Sequence, residues 1–447
     1  MTTTPVPASG GLLLSRARAR VDARDSGDAL RRVTEKVGNM LQVRNLALLL
    51  GAGSSMHLGA PRIRSLSSDQ VKAMLIAATQ ELTEPESALL NAIIAGANTD
   101  LEEVLGTLTM SIAFAERWEL TKVDIKGTEH ETETFRGLRR ALNRALTKAC
   151  DLSSLEMPKS GPGPWLGHRN FFSKILAARR GGLPRIDVFT TNYDLAIETS
   201  LDGLGVQYID GFAGSVVQTF NPAAFNQDFY AHEESGPREL VRVPDVVRLY
   251  KLHGSINWRF GPDPSSQDRE VLLRVSREDL SAGQELAVIY PTPQKDSDTL
   301  GYPYSDLLHA FASVLSRADT ALLVVGYGFA DDHINRMIFQ ALAGNPTLQL
   351  MVLSPHGTYS LQGVERVDGI EEKPEAFWGS NPASHLARVP DARISVLAGP
   401  FASFVEFSEH VLPDTGDSDD AQQTIAAELS RILLGRPRAD SETKITS

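Results

Sequence analysis

Short apolar runs alternate along this chain with longer stretches in which apolar residues return every three or four positions. Leu46–Leu50 is the clearest run, apolar throughout. A strand buried on both faces of a parallel sheet reads this way, whereas a half-exposed strand would alternate. Ile186–Thr191, Val246–Leu252, Leu286–Tyr290 and Ala321–Val325 predict further strands. Leu348–Leu353 and Ile394–Leu397 predict weaker ones at a sheet edge.

Helical spacing marks Asp28–Val43 ahead of the first strand. Beyond Ser65 it marks Gln70–Leu82, Glu84–Ala97, Asp100–Glu119 and Glu133–Ala149. Asn98-Thr99-Asp100 followed by Glu102 and Glu103 predicts a helix cap with acidic residues in the first turn. No strong strand signal interrupts these helices, so residues 70–150 read as a helical insertion beside the sheet. Tyr304–Ala318 carries a further apolar stripe, and Asp331 or Asp332 would cap a helix running through Phe339. Residues 151–167 read as loop, and 210–245 as loop or a small subdomain. The chain divides into a loose arm over 1–24, one domain over 25–411, and a tail over 412–447 with a linker and a short helix at Ala421–Leu434. The fold class is α/β with a parallel sheet.

Length and composition narrow the functions open to such a fold. At 447 residues, one large domain with an insertion or two domains would fit. A net charge of −12, from 44 basic and 56 acidic residues, gives no electrostatic reason to expect direct nucleic-acid binding. Cys150 is the only cysteine, which excludes an intramolecular disulfide, a cysteine zinc cluster and a Cys-x-x-Cys pair. No apolar run approaches the roughly 20 residues of a membrane span. Leu12–Leu14 stands ahead of an Arg-rich patch and is too short for a secretory signal, so a cytoplasmic location is expected.

Candidate chemistry gathers where strands end. Leu46–Leu50 runs into Gly51-Ala52-Gly53-Ser54-Ser55. The glycines would let the backbone approach a ligand, and the serines would cap a following helix whose N-terminus favours phosphate. The dehydrogenase fingerprint fails, because its third glycine would fall at Met56. A plain glycine turn would use the same residues. Ile186–Thr191 delivers Asn192-Tyr193-Asp194, a donor, an acceptor and a carboxylate at a sheet edge, although either polar residue would also serve as a helix cap. Val246–Leu252 delivers His253-Gly254, and Ala321–Val325 delivers Gly326-Tyr327-Gly328-Phe329-Ala330-Asp331.

Taken together, Gly51-Ala52-Gly53 with Ser55, Gly59-Ala60-Pro61, Arg64-Ser65, Thr191-Asn192-Tyr193-Asp194 and His253-Gly254 resemble the motifs of the sirtuin-like NAD-consuming family, in the same order. The resemblance implies a Rossmann-like parallel sheet, with the helical insertion placed after the first strand, loop and helix. It also implies NAD+ as substrate, with Asn192 and His253 acting on the nicotinamide ribose and Asp194 orienting either one. Gly51, Ala52, Gly53, Ser54, Ser55, Pro61, Arg64 and Thr191 would hold the cofactor, with Gly326, Gly328 and Ser354 on its adenosine half. The chain departs from the sirtuin deacylases in two ways. One cysteine cannot build their zinc module, so no zinc is expected, and Arg62 stands where they carry an acidic residue. Lys251–Ser255, Ile289–Thr292 and Gly326–Asp331 look more like sirtuin-like effectors of bacterial antiphage defence. That likeness implies an NAD+ glycohydrolase that partners a HerA-like ring ATPase, and the apolar stripes of Gln70–Ala149 and of the helix from Ala421 add the expectation of a homo-oligomer. A deacylase, an ADP-ribosyltransferase and a non-catalytic NAD or ADP-ribose sensor are the competing readings.

Overall fold

The computed structural model describes residues 13–14, 26–61, 66–78, 81–95, 100–155, 163–179, 181–232, 240–263, 266–276, 279–280, 286–288, 301–354, 386, 389, 391–398 and 400–413. In chain order, β1 is Leu13–Leu14, α1 Ser26–Leu41 and β2 Asn45–Leu50. The insertion follows, with α2 at Ser68–Ala77, α3 at Glu84–Ile94 and α4 at Leu101–Arg117. It continues through β3 (Lys122–Ile125) and β4 (Thr128–Glu131) to α5 (Thr132–Cys150). Next come α6 (Leu166–Ala178), β5 (Ile186–Thr190), α7 (Ala196–Leu204) and β6 (Gln207–Ile209). Short strands β7 (Phe212–Ala213), β8 (Gln218–Phe220), β9 (Tyr230–His232) and β10 (Leu240–Arg242) precede β11 (Val246–Lys251). After it lie β12 (Gly254–Asp263), β13 (Ser266–Arg274), β14 (Leu286–Val288), α8 (Tyr304–Ser316) and β15 (Thr320–Val325). The last elements are α9 (Asp332–Gly344), β16 (Gln349–Ser354), β17 (Ile394–Ala398) and a helical stretch over 404–411.

The main sheet has eight strands in the order β1-β17-β16-β15-β2-β5-β11-β6, all parallel except β1. Leaving out its two edge strands, the order β11-β5-β2-β15-β16-β17 is the doubly wound 3-2-1-4-5-6. The sheet is therefore Rossmann-like, as the sequence implies. Its strands bury both faces. Along β2, Ala47 and Leu49 enter one core with α8, α9, Trp258 and Phe220. Leu46, Leu48 and Leu50 enter the opposite core with α1, α6, α7 and Phe404. Two packed faces explain the unalternating run, since every pleat position meets a neighbour.

The insertion builds a third core from its own helices, with Val71, Leu89, Leu101, Leu108, Phe135 and Leu142 all buried. Asp100 caps α4 as expected, its carboxylate accepting the Glu103 N–H at 3.0 Å. The expectation of uninterrupted helices fails at β3 and β4, a hairpin turning on Lys126 (φ 52°) and Gly127 (φ 85°). Its alternating Lys122-Val123-Asp124-Ile125 belongs to a short, largely solvated ribbon, and such a ribbon carries little apolar signal.

Other expectations shift. Helix α6 replaces the end of the 151–167 loop, and its buried face includes Gly167 and His168, which dilute the apolar pattern. Residues 210–245 hold β7 to β10. Strand β14 joins a five-stranded antiparallel sheet, order β14-β12-β13-β8-β7, instead of the parallel one. Strand β16 is internal, between β15 and β17, and Leu13–Leu14 of the arm closes the edge against β17. Ala421–Leu434 lies outside the described residues. Among the described residues, no helix is long and apolar enough to cross a membrane.

Candidate functional site

In a sheet of this order, the crevice for a ligand opens at the carboxyl ends of strands where the winding reverses, here between β2 and β15. The loops leaving those two strands interlock. Gly51 N–H donates to Val325 O at 2.9 Å, and Gly53 N–H to Gly326 O at 2.8 Å. A Cβ on Gly51 would lie 2.6 Å from Tyr327 Cα, and one on Gly53 would lie 2.7 Å from Gly326 Cα. Gly326 has φ +66°, a conformation that favours glycine. These three glycines therefore serve loop-to-loop contact, and the N–H groups of Gly51 and Gly53 are spent within the protein. The Ala52 N–H finds no acceptor among the described residues. Gly328 faces open space, with nothing within 4 Å of an added Cβ.

No α-helix follows Gly53. Two 3₁₀ turns, Ala52–Ser54 and Met56–Leu58, stand in its place, and neither serine caps through its side chain. Ser54 and Ser55 are fully buried. Ser54 Oγ donates to Gly51 O at 2.8 Å. The expected helix N-terminus for phosphate is thus absent from this loop. The loop curls back because its hydroxyls bond inward.

Asn192 is what they bond toward. Its Nδ2 lies 3.1 Å from Gly51 O, 3.2 Å from Ser54 Oγ and 3.1 Å from Ser55 Oγ. Its own N–H donates to Thr190 Oγ1 at 3.0 Å, and that hydroxyl donates to Leu50 O at 2.9 Å. The amide therefore ties the end of β5 to the loop after β2. Its Oδ1 accepts no hydrogen bond among the described residues. Asp194 acts through a neighbour: the Ser55 hydroxyl bonds its carboxylate, whose Oδ1 also accepts the Ala196 N–H at 2.9 Å. Burial raises the Asp194 carboxyl above its usual range, and the Lys251 charge pulls it partly back.

Lys251, at the end of β11, is 2% exposed. Its ammonium pairs with Glu198 at 2.9 Å and donates to the Asp194 and Tyr193 carbonyls. A cation buried here locks the 193–194 turn against β11. The sequence offers Lys251 only as part of the Lys251–Ser255 motif and gives no sign of Glu198, because only the register of β11 on β5 brings them together.

His253 follows one residue after Leu252, whose N–H donates to Thr190 O at 2.8 Å. Lys251 pairs with Thr190 in register, so His253 and Asn192 stand level on neighbouring strand ends. Gly254, at φ +84°, turns the chain out of the parallel sheet into β12. His253 Nε2 lies 3.1 Å from Asp331 Oδ2, with side chains 12% and 6% exposed. The sequence offered Asp331 only as a helix cap. It is one, since Oδ1 accepts the His333 and Ile334 N–H groups at 3.0 and 3.2 Å.

Behind the Gly51 loop lies a pair of stacked histidines. His57 and His168 rings stack at 5.2 Å, and Phe404 packs 4.4 Å from His168. His168 is fully buried, and neither ring nitrogen has a hydrogen-bond partner among the described residues. Burial pushes its imidazole down to about 3. Among the described residues no group of three or more His, Cys, Asp or Glu could hold a metal.

The structure thus brings together Gly51, Ala52, Gly53, Ser54, Ser55, Asn192, Asp194, His253, Gly326 and Gly328 at one sheet edge. Thr191 is half-buried there, and Pro61 half-buried beyond the second turn. Ser354 ends β16, two strands from β2. Arg62 and Arg64 lie outside the described residues, as does 289–292.

Residues 187–372 match the family of the SIR2-like domain. The match takes in Asn192, His253 and the Gly326–Asp331 loop. A solved structure described for the mechanism and regulation of Sir2 enzymes shares 12% identity, covering 72% of this chain and 86% of its own, at a TM-score of 0.31. A Sir2 homologue variant in complex with 2′-O-acetyl ADP ribose shares 14%, covering 71% and 83%, at 0.33. No curated protein matches the chain. The domain match and the strand order support a sirtuin-like fold.

Proposed function

We propose that the protein is an NAD+ glycohydrolase, releasing nicotinamide and ADP-ribose. The supporting observation is that Asn192 and His253 stand level on neighbouring strand ends beside the switch crevice. In NAD+ the nicotinamide is already a cationic leaving group, so cleavage needs no strong acid. The bond from ribose C1′ to nicotinamide nitrogen breaks, its electron pair leaves with nicotinamide, and a water oxygen takes its place. The demands are a fixed ribose, a stabilised oxocarbenium-like centre and an acceptor for the water's proton. Asn192 Oδ1 is the acceptor that holds a ribose hydroxyl or the water. His253 takes the proton and passes it to solvent. The Ala52 N–H is the donor left for a phosphate oxygen, and the space beside Gly328 suits the adenosine half.

Incubation with NAD+ and identification of products by mass is the test. Free ADP-ribose with nicotinamide is expected. A modified protein, or nicotinamide release that depends on an acetyl-lysine peptide, would turn the reading toward a transferase or deacylase. NAD+ left intact by every assembly state would end it.

An unrestrained glycohydrolase would drain its own cell, so we read its activity as gated by assembly, within an antiphage role in which NAD+ depletion is the weapon. The homo-oligomer part of this reading is supported by Met110, Phe114 and Trp118, exposed along and just beyond α4. The ring-ATPase partner rests on the motif resemblance. Phe114→Ser should lower the oligomer mass in ultracentrifugation, and a fully active monomer would remove the gating.

A further inference from the structure

We infer that Asp331 is a positioning residue for His253, fixing which ring nitrogen carries the proton. The inference builds on the glycohydrolase reading. A helix cap needs one acceptor oxygen, and Ser, Thr, Asn or Asp supplies it equally well. Asp331 spends Oδ1 on the cap and presents Oδ2 to His253 Nε2 at 3.1 Å. That second oxygen is what a carboxylate adds. Both groups are nearly buried, so the pair works where water screens it little. The N-terminus of α9 favours the ionised carboxylate, which can only accept. An imidazole facing it carries its proton on Nε2, which makes Nδ1 the ring's acceptor.

Two neighbours, Tyr327 and Asn335, hold the placement. Tyr327 Oη donates to Asp331 O at 3.2 Å and lies 3.0 Å from Asn335 Oδ1. Asn335 Nδ2 donates to Phe329 O at 2.9 Å, in a turn where Phe329 holds φ +52°. The contact also has reach: β15 and β11 lie three positions apart in the sheet, with β2 and β5 between them. The Gly326–Asp331 loop and the His253 turn therefore meet across the ends of β2 and β5.

Asp331→Asn separates the two duties, since its amide oxygen keeps the cap while its NH₂ replaces the acceptor facing Nε2. Two readouts decide. In ¹⁵N spectra of histidine-labelled protein, with His253→Ala for assignment, the wild-type neutral ring should be the Nε2–H tautomer and Asp331→Asn should reverse it. NAD+ turnover should fall about 10²- to 10⁴-fold in kcat with KM nearly unchanged, as when a general base is held in the wrong tautomer. An unchanged tautomer would overturn the inference, and so would a reversed tautomer with wild-type kcat. Asp331→Ser, which keeps a capping oxygen and lacks the carboxylate, should lose turnover while melting near wild type. The ring signature is read without turnover. A wild-type protein inert to NAD+ in every assembly state would therefore sink the glycohydrolase reading, with the tautomer deciding the pairing separately.

Discussion

His253 and Asn192 are held differently, so their removal should fail differently. His253→Ala takes away the proposed proton acceptor and should lower NAD+ turnover by about 10²- to 10⁴-fold, with a smaller loss of stability than at Asn192 because Asp331 Oδ2 is the group it faces. Asn192→Ala should lose turnover and stability together. Its amide serves the Gly51 carbonyl and two buried hydroxyls, and stranding such groups costs about 1–3 kcal/mol. Turnover per folded molecule, measured beside thermal unfolding, separates the two effects. His168 answers to pH instead. Its ring sits at about 3 when folded, against an ordinary 6.5, because burial disfavours the charged form. Above pH 6.5 both states carry a neutral ring and this stability is fully present. Between 6.5 and about 3 only the unfolded chain takes the proton, so stability falls by about 1.4 kcal/mol per pH unit. His168→Leu should flatten that acid limb in denaturant titrations at pH 7 and pH 5. An unaltered slope would acquit His168.

Between elements, the decisive joint is the glycine contact of the loops after β2 and β15. Gly53→Ala and Gly326→Ala should each cost about 1–3 kcal/mol, the first by crowding Gly326 and the second by crowding and left-handed strain. Gly328→Ala should melt as wild type, and thermal unfolding of the three variants compares them directly. This joint also shows where sequence reading stops. Leu46–Leu50 announced a buried strand because every residue in it is apolar, and the strand ends named Asn192 and His253. The partners of those residues were hidden, because Asp331 is 78 positions from His253 and Asn192 is 141 from Gly51. Only strand order and register bring such pairs together. Local ambiguity hid the rest: Ser54 and Ser55 precede no α-helix, and the β3–β4 ribbon is too solvated to stand out from its helical surroundings.

At the scale of the molecule, two sheets and a helical unit converge on the 192–194 turn. Helix α5 belongs to the insertion's own core through Phe135, Leu138 and Leu142. Its last turns also face a second core, where Leu146 and Cys150 join Tyr193, Ile256, Leu280 and Val288. Leu146→Ala and Leu105→Ala truncate equally buried leucines, and each should cost about 2–5 kcal/mol. Only the first borders Tyr193, so it should also slow NAD+ turnover in the protein that stays folded. Equal turnover in the two variants would cut that connection. The geometry makes the insertion a lever arm. Its outer helices offer a long handle, while its inner tip rests between the residue after Asn192 and the third residue past His253. On the proposed reading, a neighbour docked along that handle would act on Asn192 and His253 through packed leucine and cysteine.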